Sequence, residues 1–225
     1  YLNFEEIKNN VLSYLNIEIE ENDFINYIDE LRYEGKIVKE EEKYYIEELY
    51  DAEQNIVDKI KYLIEKPNEK IKDIDKLIEE LQRCNEITYN KEQIDAIKSA
   101  LLYNITIITG GPGTGKTTII KAIVDLYIKI NKLKDREIDD KIALLAPTGR
   151  ASKRMSESTN LKASTIHRFL KWNKEANSFN VNEFNKNFQN LIIIDETSMI
   201  DINLLSSLFK GLTNNIKLIL VGDYN

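Results

Sequence analysis

Apolar residues recur every three or four positions through the first third of the chain. Phe4, Ile7, Val11 and Leu15 share one helical face, and Phe24, Tyr27, Ile28 and Leu31 share another. Gly35 ends the second helix. Lys36-Ile37-Val38-Lys39 and Lys43-Tyr44-Tyr45-Ile46 then read as two strands around an acidic turn. Helices followed by a two-stranded wing predict a small, mostly helical, winged-helix-like module over residues 1–48. Ile56, Ile60, Leu63 and Ile64 form the next stripe, Pro67-Asn68 interrupts it, and Ile71, Ile74, Leu77, Ile78 and Leu81 form another. Residues 49–84 are therefore expected to be connecting helices.

From about residue 85 the texture changes. Ile105–Thr109, Lys141–Ala146, Leu191–Asp195 and Lys217–Val221 are four continuous apolar runs, with helices expected from Lys116 to about Ile130 and from about Arg150. Strands that are apolar throughout and linked by helices predict an α/β domain, a parallel sheet covered by helices on both faces, over residues 85–225.

Composition adds a polarity between the two parts. The 225 residues carry a net charge of −7. Residues 1–50 hold 5 Lys and Arg against 14 Asp and Glu, a net −9, which leaves +2 for the remainder. A winged helix that reads DNA presents a basic face, so the acidic front module is expected to serve structure or protein contact. A single cysteine, Cys84, allows no intramolecular disulfide and fits a reducing cytoplasm. No apolar run is long enough to span a bilayer, and the first residues Tyr1-Leu2-Asn3-Phe4-Glu5-Glu6, with neither a basic nor an apolar stretch, do not read as a signal peptide. Because it starts at Tyr1 rather than Met and stops just after a strand, a piece of a longer protein is expected.

The chemistry-bearing signal lies after the first apolar strand. Gly110-Gly111-Pro112-Gly113-Thr114-Gly115-Lys116-Thr117, followed by Thr118, matches the spacing G-x-x-x-x-G-K-[ST]. Glycines let successive N–H groups turn around phosphate oxygens at the positive end of the next helix. Lys116 is expected to reach the β- and γ-phosphates of ATP, and the Thr117 hydroxyl to ligate Mg²⁺. A chance match in a chain of this length is roughly one in a hundred, and here the flanking strand and helix are also present. Asp195-Glu196, after Ile192-Ile193-Ile194, supplies the matching acids. Asp195 is expected to hold Mg²⁺ and Glu196 to polarise the attacking water.

Further segments narrow the class. Asn90-Lys91-Glu92-Gln93 precedes the loop, Ala146-Pro147-Thr148-Gly149-Arg150-Ala151-Ser152-Lys153-Arg154-Met155 follows the second strand, and Ser164-Thr165-Ile166-His167-Arg168-Phe169-Leu170 comes next. Asp195-Glu196-Thr197-Ser198-Met199 and Val221-Gly222-Asp223 complete the series. In this order they resemble the RecD-like DNA helicases of superfamily 1, related to the α subunit of exodeoxyribonuclease V and to TraA helicases. The resemblance is strong over about Asn85 to Asn225 and weak before it.

It implies the first of two RecA-like motor domains of an ATP-driven, 5′→3′ single-stranded DNA translocase and helicase in recombination and repair. By that resemblance Gln93 reads the adenine edge, and Asp223 belongs to the segment coupling the γ-phosphate to the DNA track. Other nuclease or helicase subunits are expected partners. The competing class is another P-loop ATPase, such as a protein-remodelling AAA+ module.

A translocase needs contacts that ignore base sequence. Pro147, Thr148, Arg150 and Arg154 form one DNA-facing cluster, and Thr165, His167 and Arg168 a second. The alternatives are a structural role for the lone His167 and a solvated helix face for Lys153 and Arg154. Trp172, Phe179, Phe184 and Phe188, among Asn and Lys residues, either stack bases or anchor a surface hairpin, and the hairpin is the expectation. Superfamily 1 motors complete the ATP site with an arginine from a second domain, so residues 1–225 alone are expected to bind nucleotide but not to unwind DNA.

Overall fold

The computed structural model describes residues 1–223; Tyr224 and Asn225, the last two positions of the expected motor domain, lie outside the described residues. The chain forms two compact units, Tyr1–Ile56 and Val57–Asn225.

In the first unit the helical stripes become α1 (Phe4–Leu15) and α2 (Glu21–Tyr33). A capping box starts α1, with the Asn3 carboxamide accepting from the Glu6 N–H at 2.9 Å and the Glu6 carboxylate accepting from the Asn3 N–H at 2.9 Å. An antiparallel hairpin follows, β1 (Ile37–Glu40) with β2 (Lys43–Ile46). Its core is small: Phe24, Ile28 and Tyr44 are buried, with Phe4, Ile7, Val11, Ile19 and Ile37 packed around them. Helix α3 (Glu47–Glu65) begins where β2 ends, and the division between the two units falls inside it.

The second unit contains α4 (Ile74–Asn85), α5 (Lys91–Leu102), β3 (Ile105–Thr109), α6 (Lys116–Asn131), α7 (Asp135–Lys141), β4 (Ile142–Ala146) and α8 (Gly149–Thr159). There follow β5 (Ala163–Thr165), the single-turn α9 (Ile166–Phe169), a hairpin of β6 (Trp172–Asn173) and β7 (Ser178–Phe179), β8 (Leu191–Ile194), a 3₁₀ turn at Thr197–Met199, α10 (Ile202–Lys210) and β9 (Lys217–Gly222). Strands β3-β9-β8-β4-β5 form one sheet in that order, every pair parallel. Strands β4, β8 and β9 are buried at every position, as their unbroken apolar runs require. Helix α6 packs Ile120, Ile123 and Leu126 into the core with Ile97 and Leu101 of α5.

Three expectations need correction. The strand beginning at Lys141 begins at Ile142, because Lys141 closes α7, a helix whose six charged residues and lone Ile138 give no apolar stripe. Four strands become five, because Ala163–Thr165 pairs with Leu144–Ala146 although it is too short and polar to announce itself. And β3 is not covered on both faces like its neighbours: it is an edge strand, and Ile107 is 67% exposed.

A buried cation ties α3 to the turn after α10. Lys59 is 8% exposed, and its ammonium donates to Leu212 O (3.0 Å), Thr213 O (2.8 Å) and Asn214 Oδ1 (3.0 Å). Three acceptors match its three donors. Burial, reinforced by Lys186, pulls its pKa down to about 8. Lys59→Met is expected to cost roughly 2–3 kcal/mol, since two backbone carbonyls lose their donor; urea denaturation measures it. A depressed folded pKa makes the proton bind less tightly in the folded state. Wild-type stability should therefore rise between about pH 8 and the ordinary lysine value of 10.5. Lys59→Met should flatten that rise.

Candidate nucleotide site and nucleic-acid interface

All five strands point their C-terminal ends at the same edge, and the candidate residues gather there. Strand β3 runs into the loop Gly110–Gly115, and α6 starts at Lys116. The loop passes through left-handed backbone at Gly113 (φ +78°) and Gly115 (φ +87°), where side chains are strained. Thr114 Oγ1 donates to Gly111 O at 2.9 Å and closes the turn on itself. The Lys116 ammonium donates to Gly110 O (2.7 Å) and Gly111 O (3.0 Å) and pairs with Asp223 Oδ1 at 2.6 Å. Pro112, Gly113, Thr114 and Thr117 are exposed, whereas Thr118 is half-buried.

The acids stand at the end of the central strand. Asp195 N donates to Leu145 O at 2.9 Å, carrying the sheet one residue beyond β8. Asp195 Oδ1 then accepts from the Glu196 N–H at 3.0 Å, and Glu196 adopts left-handed backbone (φ +55°). Burial raises the Asp195 pKa above the ordinary aspartate value; Glu196 and Asp223 push it the same way, against the Glu196 N–H and Lys116.

Thr197 joins this turn to the next strand. Its hydroxyl donates to Val221 O at 2.5 Å, and a Cβ at Gly222 would stand 3.1 Å from Thr197 Oγ1. Gly110 N in turn donates to Gly222 O at 3.3 Å. The phosphate loop, the Asp195-Glu196 turn and Asp223 are thus one connected unit. Gly222→Ala is expected to lower nucleotide affinity several-fold with little change in urea-measured stability, since the added methyl meets Thr197 Oγ1 and Ser198 N in the turn after β8 rather than the apolar side chains of the core.

A magnesium ion fits this donor set. Thr117 offers a hydroxyl on the first turn of α6 and Asp195 a carboxylate at the end of β8. Three carboxylates beside one ammonium leave negative charge that a cation would relieve. Among the described residues no group of three or more His, Cys, Asp and Glu is arranged to hold a metal. The remaining ligands of a magnesium ion would come from phosphate and water.

The DNA-facing candidates occupy the other half of the same edge. Ala146 and Thr165 are register partners in β4 and β5, so Pro147-Thr148 and Thr165-Ile166 leave the sheet side by side. Thr148 Oγ1 accepts from Ala151 N (3.2 Å) and caps α8; Thr165 Oγ1 accepts from Arg168 N (3.3 Å) and caps α9. Both hydroxyls keep a donor for a further partner. Arg150 and Arg154 are exposed one turn apart on α8, and His167 and Arg168 are exposed on α9. The expected hairpin is present as β6 and β7. Trp172 and Phe179 pack edge to face at 4.8 Å, and the His167 ring lies 6.3 Å from the first and 5.7 Å from the second. Phe184 and Phe188 do not anchor it: they are 92% and 76% exposed.

Two residues were quoted in the sequence motifs without a role of their own. The part of Thr197 depends on Val221 coming within reach. That of Asn90 was legible: Asn-x-x-Gln before a helix is a capping box, and α5 begins with it.

A parallel sheet with a phosphate loop leaving one strand and paired acids ending another defines a RecA-like P-loop domain that uses nucleotide. The sequence pattern of the family described as "AAA domain" matches residues 93–225. The chain belongs to that family, and its sequence sets it beside the RecD-like helicases of superfamily 1. It is 33% identical over 202 residues to the RecBCD enzyme subunit RecD of Buchnera aphidicola subsp. Schizaphis graminum (strain Sg), covering 82% of this chain and 32% of that protein. It is 36% identical over 148 residues to RecD of Mycobacterium tuberculosis (strain ATCC 25618 / H37Rv), covering 59% and 25%. It is 34% identical over 134 residues to the ATP-dependent RecD2 DNA helicase of Deinococcus radiodurans, covering 60% and 17%. The chain thus spans about a third or less of these relatives' lengths. Among solved structures, the UvsW helicase of bacteriophage T4 aligns with a TM-score of 0.45 at 15% identity, over 74% of this chain and 60% of that one.

Proposed function

We propose that this chain is the first motor domain of an ATP-dependent DNA helicase that translocates 5′→3′ on single-stranded DNA. The observation that carries it is one sheet edge holding Lys116, Asp195 and Asp223 beside the ends of the paired strands β4 and β5, where Thr148 and Thr165 cap the helices that follow. Hydrolysis chemistry and a track of hydroxyls and exposed cations then share one rigid scaffold. In this reading Lys116 and Thr117 engage the phosphates and Mg²⁺, Glu196 orients the attacking water, and Asp223 reports the γ-phosphate to the DNA-facing strands. The similarity to RecD and RecD2 supports a role in DNA recombination or repair, with other helicase or nuclease subunits as partners. Among the described residues no helix is long and apolar enough to cross a membrane; a DNA motor of this class would work in the cytoplasm.

The test is ATP hydrolysis by the full-length protein with and without single-stranded DNA. Strong stimulation is expected, and a motor indifferent to DNA overturns the proposal. Replacing Arg150 and Arg154 together with alanine should weaken single-stranded DNA binding and reduce the salt slope of log K by about 1.4, the value for two phosphate contacts. An unchanged slope removes these residues from the DNA path. Residues 1–225 alone are expected to bind ATP and to hydrolyse it slowly, for want of an arginine from a second motor domain; vigorous unwinding by this chain alone counts against that.

A further inference from the structure

The opposite edge of the sheet holds a polar cavity of about 310 Å³. Asn104, Lys141 and Asn190 stand immediately before β3, β4 and β8, and Lys217 opens β9, so the cavity lies at the N-terminal ends of four parallel strands. The candidate nucleotide residues are at the other ends. Strand β9, six residues long, sets Lys217 roughly 20 Å from Asp223 at the rise of a parallel strand.

Lysine dominates the charge of this cavity. Lys66, Lys141 and Lys217 line it against one carboxylate, Glu69, among the described residues. Lys217 is 3% exposed, and among the described residues its ammonium makes one hydrogen bond, to Tyr103 O at 2.7 Å; Glu69 Oε1 stands 3.9 Å away. An ammonium carries three donors, and burying one without acceptors is costly. Lys59 shows the contrast: equally buried in structural terms, it fills all three donors at 3.0 Å or less. Burial lowers the Lys217 pKa; Glu69 opposes the shift and Lys66 adds to it. An anion in the cavity would relieve both the burial cost and the repulsion from Lys66.

The wall that carries Lys66 and Glu69 is fastened to the sheet. Asn104 Nδ2 donates to Lys66 O (2.9 Å) and Pro67 O (3.2 Å), and Glu69 N donates to Leu102 O (3.0 Å). Lys66 Nζ donates to Asn215 Oδ1 at 2.8 Å, which holds that cation beside the mouth. From Lys217 through Lys66 to Lys141 exposure rises, from buried through half-buried to exposed.

We propose that this cavity binds a small phosphate dianion, free or as a phosphomonoester, with Lys217 at its floor and Lys66 and Lys141 at its mouth. Three ammoniums less one carboxylate leave a surplus that matches the charge of about −1.5 to −2 on a phosphate group at neutral pH. The volume is about ten times the share of one water molecule, which leaves room for an organic group on the phosphate. The proposal does not depend on the nucleotide-site reading.

The test is titration calorimetry of the full-length protein carrying Lys116→Ala, so that the phosphate loop is disabled, with inorganic phosphate and with ribose 5-phosphate. Saturable binding is expected. Adding Lys217→Met should weaken it by about tenfold or more, the scale of a hydrogen bond between charged groups, and adding Lys141→Ala should weaken it several-fold. Lys217→Met also takes the donor from Tyr103 O and can lower stability; Lys141→Ala, at an exposed side chain, keeps the test sound if that variant does not fold. Tighter binding of ribose 5-phosphate assigns the cavity to a phosphomonoester, and tighter binding of inorganic phosphate to the free ion; either upholds the site. Absence of saturable binding in the Lys116→Ala protein overturns it. So does binding that Lys217→Met and Lys141→Ala leave unchanged.

Discussion

Lys116→Ala is expected to abolish ATP hydrolysis by the full-length protein, with kcat falling by roughly a thousandfold or more. Two effects combine. Among the described residues the ammonium is the one cation paired directly with a carboxylate of the site, through Asp223 at 2.6 Å, and it belongs to the first turn of α6, where the phosphates are proposed to bind. It also satisfies Gly110 O and Gly111 O, so its loss frees the loop as well as removing charge. Lys116→Arg separates these effects by keeping the charge while changing the reach. If loop order dominates, arginine should fail almost as badly as alanine. Steady-state ATPase with nucleotide titration distinguishes binding from turnover, and wild-type turnover in Lys116→Ala would falsify the site assignment.

Asp195→Asn should have opposite effects on activity and on stability. Its carboxyl is poised for a cation, so the amide should lower magnesium-dependent hydrolysis by roughly two to three orders of magnitude, the scale on which charge stabilisation acts in such sites. Yet in nucleotide-free protein the ionised carboxylate is a liability. Burial raises its pKa, and Glu196 and Asp223 add to that. For a group whose folded pKa is raised, the stabilising contribution is complete below the unfolded value and lost as pH rises through the folded value. At neutral pH the wild type therefore carries the cost of a buried charge. The carboxamide that replaces it, still able to accept from the Glu196 N–H, does not. Nucleotide-free Asp195→Asn should melt a few degrees above the wild type at neutral pH, with the gap closing as pH falls. Magnesium and nucleotide should stabilise the wild type more than the variant. A variant that melts lower at neutral pH would contradict this account of the acid.

Much of this was legible along the chain because it is local. Ile192-Ile193-Ile194, β-branched and short, reads as a buried strand, and the glycine-rich turn ahead of Lys116 reads as the entry to a helix that begins there. The helical stripes from Phe4 to Leu31 and the Lys36–Ile46 wing gave the front module the same way. Short or charged elements left no such trace. Helix α7 shows no periodicity, and β5 is three residues whose pairing with Leu144–Ala146 supplies the signal that its own residues lack. Phe184 and Phe188 looked like anchors by residue type, but whether an aromatic is buried depends on what covers it.

For the phosphate loop and its two acids, residue type and spacing carried the inference, because phosphate chemistry constrains both within a few positions. Which groups touch was decided only when the strands aligned. Parallel pairing brings Val221 to Thr197, Gly222 to Gly110 and Asp223 to Lys116, across more than a hundred residues of chain in the last two cases. Gln93 shows the boundary best. Its type and place ahead of the loop identified it from sequence, but its partners, Asn90 and Thr114 O, emerged only with the fold. A side-chain amide can bond many partners, and only tertiary structure brings the Thr114 carbonyl within about 3 Å of it.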